Sequence, residues 1–170
     1  MAVEAHAGDH RFTGAGGFAR PTPAAAGVAL AALGLAVTLA WQAATLFQRD
    51  LAFTAAETEL SFWGRGEYQP SDATRETVRR ELDTLLAAAP DQPDYLTLAA
   101  YHAAWLAYRE DDPTVARPYA LQAVDKQYAA QQNRPAYRQG WAKLVEYARR
   151  AGSDRGALAQ QRLEALRGSP

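Results

Sequence analysis

Few residues in this chain have the type and spacing to do chemistry. His6 and His10 stand four apart around Asp9. On a helix that spacing could place two imidazoles on one metal ion. However, Gly14, Gly16, Gly17, Pro21 and Pro23 follow, no third ligand is fixed, and a solvated, disordered tail over residues 1–23 is the expectation. His102 is the remaining histidine; between Tyr101 and Trp105 it reads as a core or half-buried side chain, not a base. The four serines, Ser61, Ser71, Ser153 and Ser169, sit at turns, caps or the terminus, and none lies in a G-x-S-x-G elbow. No Walker-type loop, H-E-x-x-H or G-x-G-x-x-G after a strand is present. Glycoside hydrolysis needs two carboxylates across a cleft, and Asp83, Asp91, Asp94, Asp111 and Asp112 could supply any pair, so the pattern selects none. Cysteine is absent, which removes disulfides, thiolate metal sites and thiol nucleophiles. No catalytic residue, cofactor or metal site is assigned, and the chain reads as a non-enzyme.

Two clusters suit contact instead. Phe62, Trp63, Arg65 and Tyr68 fall in the stretch Ser61–Pro70, with Gly64 and Gly66 between them. Flat aromatic faces could dock a protein or stack on a sugar; equally, Phe62, Trp63 and Tyr68 could form a packed elbow over the ends of neighbouring helices, which is the favoured reading. The second cluster is Arg134, Arg138, Trp141 and Lys143.

The elements that must position these residues are helical. With 170 residues, 48% of them hydrophobic and 22% charged, the chain has the size of one domain. It carries 39 alanines against 12 glycines and 9 prolines, a helical composition. Arginine supplies 16 of 18 basic residues, a bias that fits genomic base composition. A net charge of −1 gives no global attraction to nucleic acid, no recognition motif is present, and no nucleic-acid partner is assigned.

Between Arg20 and Arg49 lie 28 residues without an ionisable side chain. Residues 24–48 form the expected transmembrane helix; the apolar run from Ala24 to Phe47 spans about 36 Å at 1.5 Å per residue, against a bilayer core of about 30 Å. Trp41 suits the interface at its C-terminal end. A soluble buried helix and a cleaved signal peptide are the alternatives. The long preceding tail, and Trp41, Gln42, Leu46 and Phe47 where small residues would be needed for cleavage, favour a retained anchor in contact with membrane lipid. Flanking basic residues are nearly balanced; a short cytoplasmic tail with the larger domain exported is the preferred topology. Residues 49–70 read as a helical extension followed by the aromatic elbow.

From Ser71 the chain reads as helix throughout, a domain over residues 71–168. Ser71 or Asp72 can cap a helix with Val78, Leu82, Leu85 and Leu86 on one face. Further helices are expected over 93–110, 114–132 (Val115, Tyr119, Leu121, Val124, Tyr128), 136–151 (Trp141, Leu144, Val145, Tyr147) and 154–167 (Leu158, Leu163, Leu166), separated by Pro90, Asp111–Pro113, Asn133–Pro135 and Gly152–Ser153. In a tetratricopeptide register, Trp141 takes the first aromatic position, Leu144 the next apolar one and Ala157 the small position of the second helix, while Gln161 and Glu164 match poorly. In the unit before it, Ala123 and Ala130 take small positions and Pro135 ends it, but Pro90 lies 45 residues earlier, too far for one repeat. The region resembles degenerate tetratricopeptide repeats; a plain helical bundle explains the same spacings. The fold class is therefore all-α, a single N-terminal transmembrane helix followed by a tetratricopeptide-like domain of antiparallel helical hairpins. Residues 67–112 carry 10 acidic and 4 basic residues, and 134–167 carry 3 acidic and 8 basic, a polarity that could orient the domain against a partner or anionic head groups and that an ordinary solvated helical surface explains equally well.

Two stretches, Ala56–Pro70 (AETELSFWGRGEYQP) and Asn133–Leu144 (NRPAYRQGWAKL), with the single membrane helix and short helical domain, resemble the VpsP-type proteins of bacterial exopolysaccharide biosynthesis over residues 25–167. The resemblance implies an inner-membrane location, a periplasmic C-terminal domain and partners among polysaccharide assembly or export proteins. It implies no catalytic residue. The expected function is a non-catalytic, membrane-anchored accessory or scaffold acting by protein–protein contacts. Phe62, Trp63, Arg65 and Tyr68 are then one partner surface, and Arg134, Arg138, Trp141 and Lys143 another. Alternatives are an envelope scaffold for a secretion, pilus or division complex, and a carbohydrate-binding module that holds the growing polysaccharide.

Overall fold

The computed structural model describes residues 22–167. The expectations for the tail, His6, His10 and Ser169 lie outside the described residues. All regular structure among the described residues is helical: α1 (Pro23–Phe62), α2 (Asp72–Ala88), α3 (Pro93–Arg109), α4 (Pro113–Asn133), α5 (Arg138–Ala151) and α6 (Arg155–Ala165). The chain divides after Ala43 into an N-terminal unit and a larger C-terminal unit.

The N-terminal unit is the first half of α1. Alanine and leucine favour the helix, and proline at its first position has no N–H to leave unpaired. Gly27 and Gly34 have open space where a Cβ would stand. The Thr38 hydroxyl donates to the Gly34 carbonyl at 2.9 Å, so this polar group is satisfied within its own helix, as an apolar surrounding requires. Leu33, Leu35, Val37 and Leu39 are 55–61% exposed, a density of uncovered apolar side chains that water does not favour. Residues Ala26–Phe62 form one helix long and apolar enough to cross a membrane.

In the C-terminal unit the second half of α1 becomes amphipathic. Ala56, Leu60 and Trp63, spaced four and three apart, pack with Val78 and Leu82 of α2 and Trp105 of α3. Phe53 meets Tyr95 of α3 with ring centroids 5.6 Å apart. The extension expected after residue 48 is thus one uninterrupted helix with the apolar segment. It stops at Phe62 because Gly64 (φ 75°) and Gly66 (φ 56°) turn through the left-handed region, where a Cβ is strained. Ser71 then caps α2, its hydroxyl accepting from the Thr74 N–H at 3.1 Å.

A second cluster joins α3 to α6: Ala100, Ala103, Ala123, Val124, Trp141, Leu144, Tyr147, Ala148, Ala151, Ala159 and Leu163. Consecutive helices are neighbours, α2 with α3, α3 with α4, α4 with α5 and α5 with α6. Helix α3 serves both clusters, Trp105 facing one and Ala100 and Ala103 the other. Asp112 caps α4 by accepting from the Thr114 N–H at 2.8 Å. Pro118 lies past the first turn, where its missing N–H leaves the Thr114 carbonyl without its helical donor. Gly152 (φ 63°) ends α5, and the Ser153 N–H reaches back to the Ala148 carbonyl at 2.9 Å.

Three details differ from the sequence expectation. Of the apolar residues named for α4, Val124 is buried and Tyr128 packs against the core, whereas Val115, Tyr119 and Leu121 are 36–43% exposed; the buried stripe is Ala123, Val124, Gln127, Ala130 and Gln131. That stripe has helical periodicity but is filled mostly by small and amide side chains, so hydropathy does not reveal it. Helix α5 starts at Arg138, two residues late, because residues after Pro135 turn to bring the Pro135 carbonyl to the Trp141 indole N–H at 2.8 Å. In α6, Ala157 is exposed and Ala159 is fully buried, so the small residue facing α5 is not the one the repeat register selects.

Candidate functional site

The aromatic elbow is built on Glu59, in the last turn of α1. Its Oε1 accepts from the Trp63 indole N–H at 3.0 Å and from the Tyr68 hydroxyl at 2.5 Å. That bond holds the Tyr68 phenol above its ordinary pKa, because ionisation would break it beside a carboxylate. Trp63 is 2% exposed, with its ring 4.5 Å from Trp105 and 5.5 Å from His102. The Tyr101 hydroxyl donates to its carbonyl at 3.4 Å. Trp63 is therefore a core wedge and offers no face to a partner. Phe62 and Tyr68 stay exposed, edge to face at 6.2 Å, with Arg65 exposed between them in sequence.

The second cluster divides in the same way. Trp141 is 3% exposed and anchors α5 in the core. Arg134 is half-buried and spans to α3, donating from Nη1 to Asp94 at 2.8 Å and from Nη2 to Thr97 at 3.4 Å, with Tyr137 beneath its guanidinium at 5.1 Å. It ties the α4–α5 connection down more than it offers charge outward. Arg138 and Lys143 remain exposed, Lys143 near Glu146 at 3.4 Å. The two clusters are not brought together. The elbow is held near the C-terminal end of α3 through Arg109 and Gln69 (2.6 Å), and Arg134 near its N-terminal end through Asp94. Residues 94 and 109 are about 22 Å apart along a helix.

An open groove of about 750 Å³ lies elsewhere, between the last turns of α3 and α5 and the first turns of α4. Its alanines include Ala104, Ala107, Ala116, Ala120 and Ala151; the exposed Tyr108 and the buried Tyr147 also line it, and Arg117, Arg149 and Arg150 border it. Burial holds the Tyr147 phenol well above its ordinary pKa, so it stays neutral. Sequence reasoning missed this site. The arginines come from two helices 32 positions apart, and the one legible sign was the basic excess after residue 134.

Three polar residues, His102, Gln127 and Gln131, are buried in the helical domain. His102, 8% exposed, has its Nε2 unpaired, and burial lowers its pKa to about 4 despite the nearby Asp83 carboxylate. Its imidazole is neutral at pH 7, and among the described residues it has no hydrogen bond or ion pair to a carboxylate. Gln127 and Gln131 on α4 are fully buried against α5; Gln127 donates to the Gly140 carbonyl at 3.3 Å, while both amide atoms of Gln131 are unpaired. Among the described residues no group of three or more metal-ligating side chains converges.

No protein-family model, curated protein or solved structure matches this chain.

Proposed function

We propose that this chain is a single-pass inner-membrane protein with a periplasmic, degenerate tetratricopeptide-like domain, and that it works as a non-catalytic accessory or scaffold in bacterial exopolysaccharide biosynthesis and export. The observation that carries the anchoring half is the exposed apolar segment of α1, continuous in one helix with a packed helical domain. The polysaccharide half rests on the resemblance carried by residues 56–70 and 133–144. For the repeat-like architecture, support comes from the sequential pairing of α3 through α6, with Ala123, Ala130, Trp141 and Leu144 buried at the positions the register selects.

The mechanism is concentration by anchoring. A domain tethered to the bilayer meets membrane-bound partners at high effective concentration, so modest contact surfaces suffice. Phe62, Arg65 and Tyr68 form one such surface and Arg138 and Lys143 another, with Trp63, Arg134 and Trp141 supporting them from beneath. One surface is tied to α3 at Arg109 and the other at Asp94, so the two suit two partners or two parts of one partner.

The test is a clean deletion scored for amount and chain length of surface polysaccharide, complemented with the full chain or with residues 50–170 on an export signal. Polymer lost on deletion and restored only by the anchored form is the expected result. Unchanged polymer, under conditions where the parent makes it, refutes the polysaccharide role.

A further inference from the structure

We infer that the groove between α3, α4 and α5 is a docking site for an acidic peptide segment of a partner protein. Arg117, Arg149 and Arg150 border it, and no Asp or Glu is among its lining residues. Arg117 and Arg149 are exposed and make no ion pair or side-chain hydrogen bond among the described residues. Arg150 is partly satisfied, by Glu146 at 3.3 Å and the Tyr108 ring at 5.7 Å.

Arg149 and Arg150 stand in the last turn of α5, where cations offset the carbonyl end of the helix. Arg117 stands in the second turn of α4, exposed and with no carboxylate partner among the described residues. Pro113 and Ala116 bring the first turn of α4, capped by Asp112, into the groove wall. A carboxylate bound beside Arg117 and Arg149 offsets their unpaired charge, and arginine can grip it bidentately.

The floor chooses among anions. Alanine methyls and the ring of Tyr147 give it an apolar surface that small or aliphatic side chains can cover, and Tyr108, 70% exposed, gives an aromatic wall. A peptide alternating acidic and apolar side chains satisfies floor and rim together; a uronate polymer matches the rim alone.

The full chain in detergent micelles is panned against a randomised octapeptide display library, and recovered peptides are labelled for anisotropy titration. Acidic residues should rise by about threefold or more over the input pool. Binding should weaken by about tenfold in R117E/R149E, and by a similar factor on raising NaCl from about 50 to about 500 mM. R117Q/R149Q, which adds no new charge, should lose about threefold and keeps the test decisive if the reversal variant fails to fold. No acidic enrichment overturns the inference, as does equal binding to the folded variants or displacement of the peptides by oligogalacturonate at lower concentration than by free peptide. The measurement involves no polymer synthesis, so its failure is separate from failure of the polysaccharide reading.

Discussion

Gly140→Ala adds one methyl group, yet it tests how α4 and α5 are held together. A Cβ at residue 140 would overlap the Nε2, Cδ and Oε1 atoms of Gln131. Gln131 is 0% exposed, so its carboxamide has no solvent to retreat into and must push its neighbours or separate the helices. Overpacking of this kind costs about 1–3 kcal/mol. Against it stands the helix preference of alanine over glycine, about 0.5–1 kcal/mol. The net expectation is a loss of about 1–2 kcal/mol, a fall in melting midpoint of about 3–8 °C for a domain of this size. In a Gln131→Ala background the obstacle is gone, and the same substitution should stabilise by about 0.5–1 kcal/mol. The coupling between the positions is then about 1–3 kcal/mol, above the few tenths expected for independent sites. Urea titration of the full chain in micelles, followed by tryptophan fluorescence, measures all four variants, since Trp63, Trp105 and Trp141 are each at most 8% exposed. Equal effects of Gly140→Ala in both backgrounds would refute the close approach as the reason glycine stands there.

Other substitutions separate support from surface. Burial lowers the His102 pKa from 6.5 to about 4, so the unfolded chain binds its proton more readily. Stability present above pH 6.5 should fall towards pH 4, by up to about 3 kcal/mol, and His102→Leu should flatten that part of a pH-dependent urea profile. Trp63→Ala should cost about 3–5 kcal/mol by opening a cavity against Trp105 and His102, whereas Phe62→Ala, half exposed, should cost under about 1 kcal/mol in the same assay. Arg134→Ala should lower stability by about 1 kcal/mol, and Asp94→Asn should remove most of that difference in a double-mutant cycle. Leu35→Asp, on an exposed position of α1, adds about 3 kcal/mol to bilayer insertion and should move chain from the membrane to the soluble fraction, leaving the urea midpoint of the helical domain unchanged.

Much of the helical framework was legible in residue types alone. Pro90, Pro113, Gly64 and Gly152 mark breaks because φ and N–H chemistry are local, and Val78, Leu82 and Leu85 mark a core face because their spacing matches one side of a helix. The apolar segment of α1 was legible for the same reason: length and absence of charge are properties of the chain itself. The face of α4 was legible at Val124 and Tyr128 but not elsewhere. Its other visible apolar residues, Val115, Tyr119 and Leu121, point outward, while Gln127 and Gln131 are buried, because α5 approaches closely at Gly140 and leaves room on that side for amides and methyl groups.

The candidate surfaces divide along the same line. That aromatics and arginines cluster near residues 62–68 and 134–143 was evident from order along the chain. Which of them face solvent was decided by tertiary packing: Glu59 and Trp105 draw Trp63 inward, and the Pro135 carbonyl fixes Trp141, leaving Phe62, Tyr68, Arg138 and Lys143 outside. The arginine groove belongs to tertiary structure altogether, since Arg117 meets Arg149 and Arg150 only when α4 and α5 pack. Local chemistry sets where helices start and stop; long-range packing sets which side chains become neighbours, and it is those neighbours that make a site.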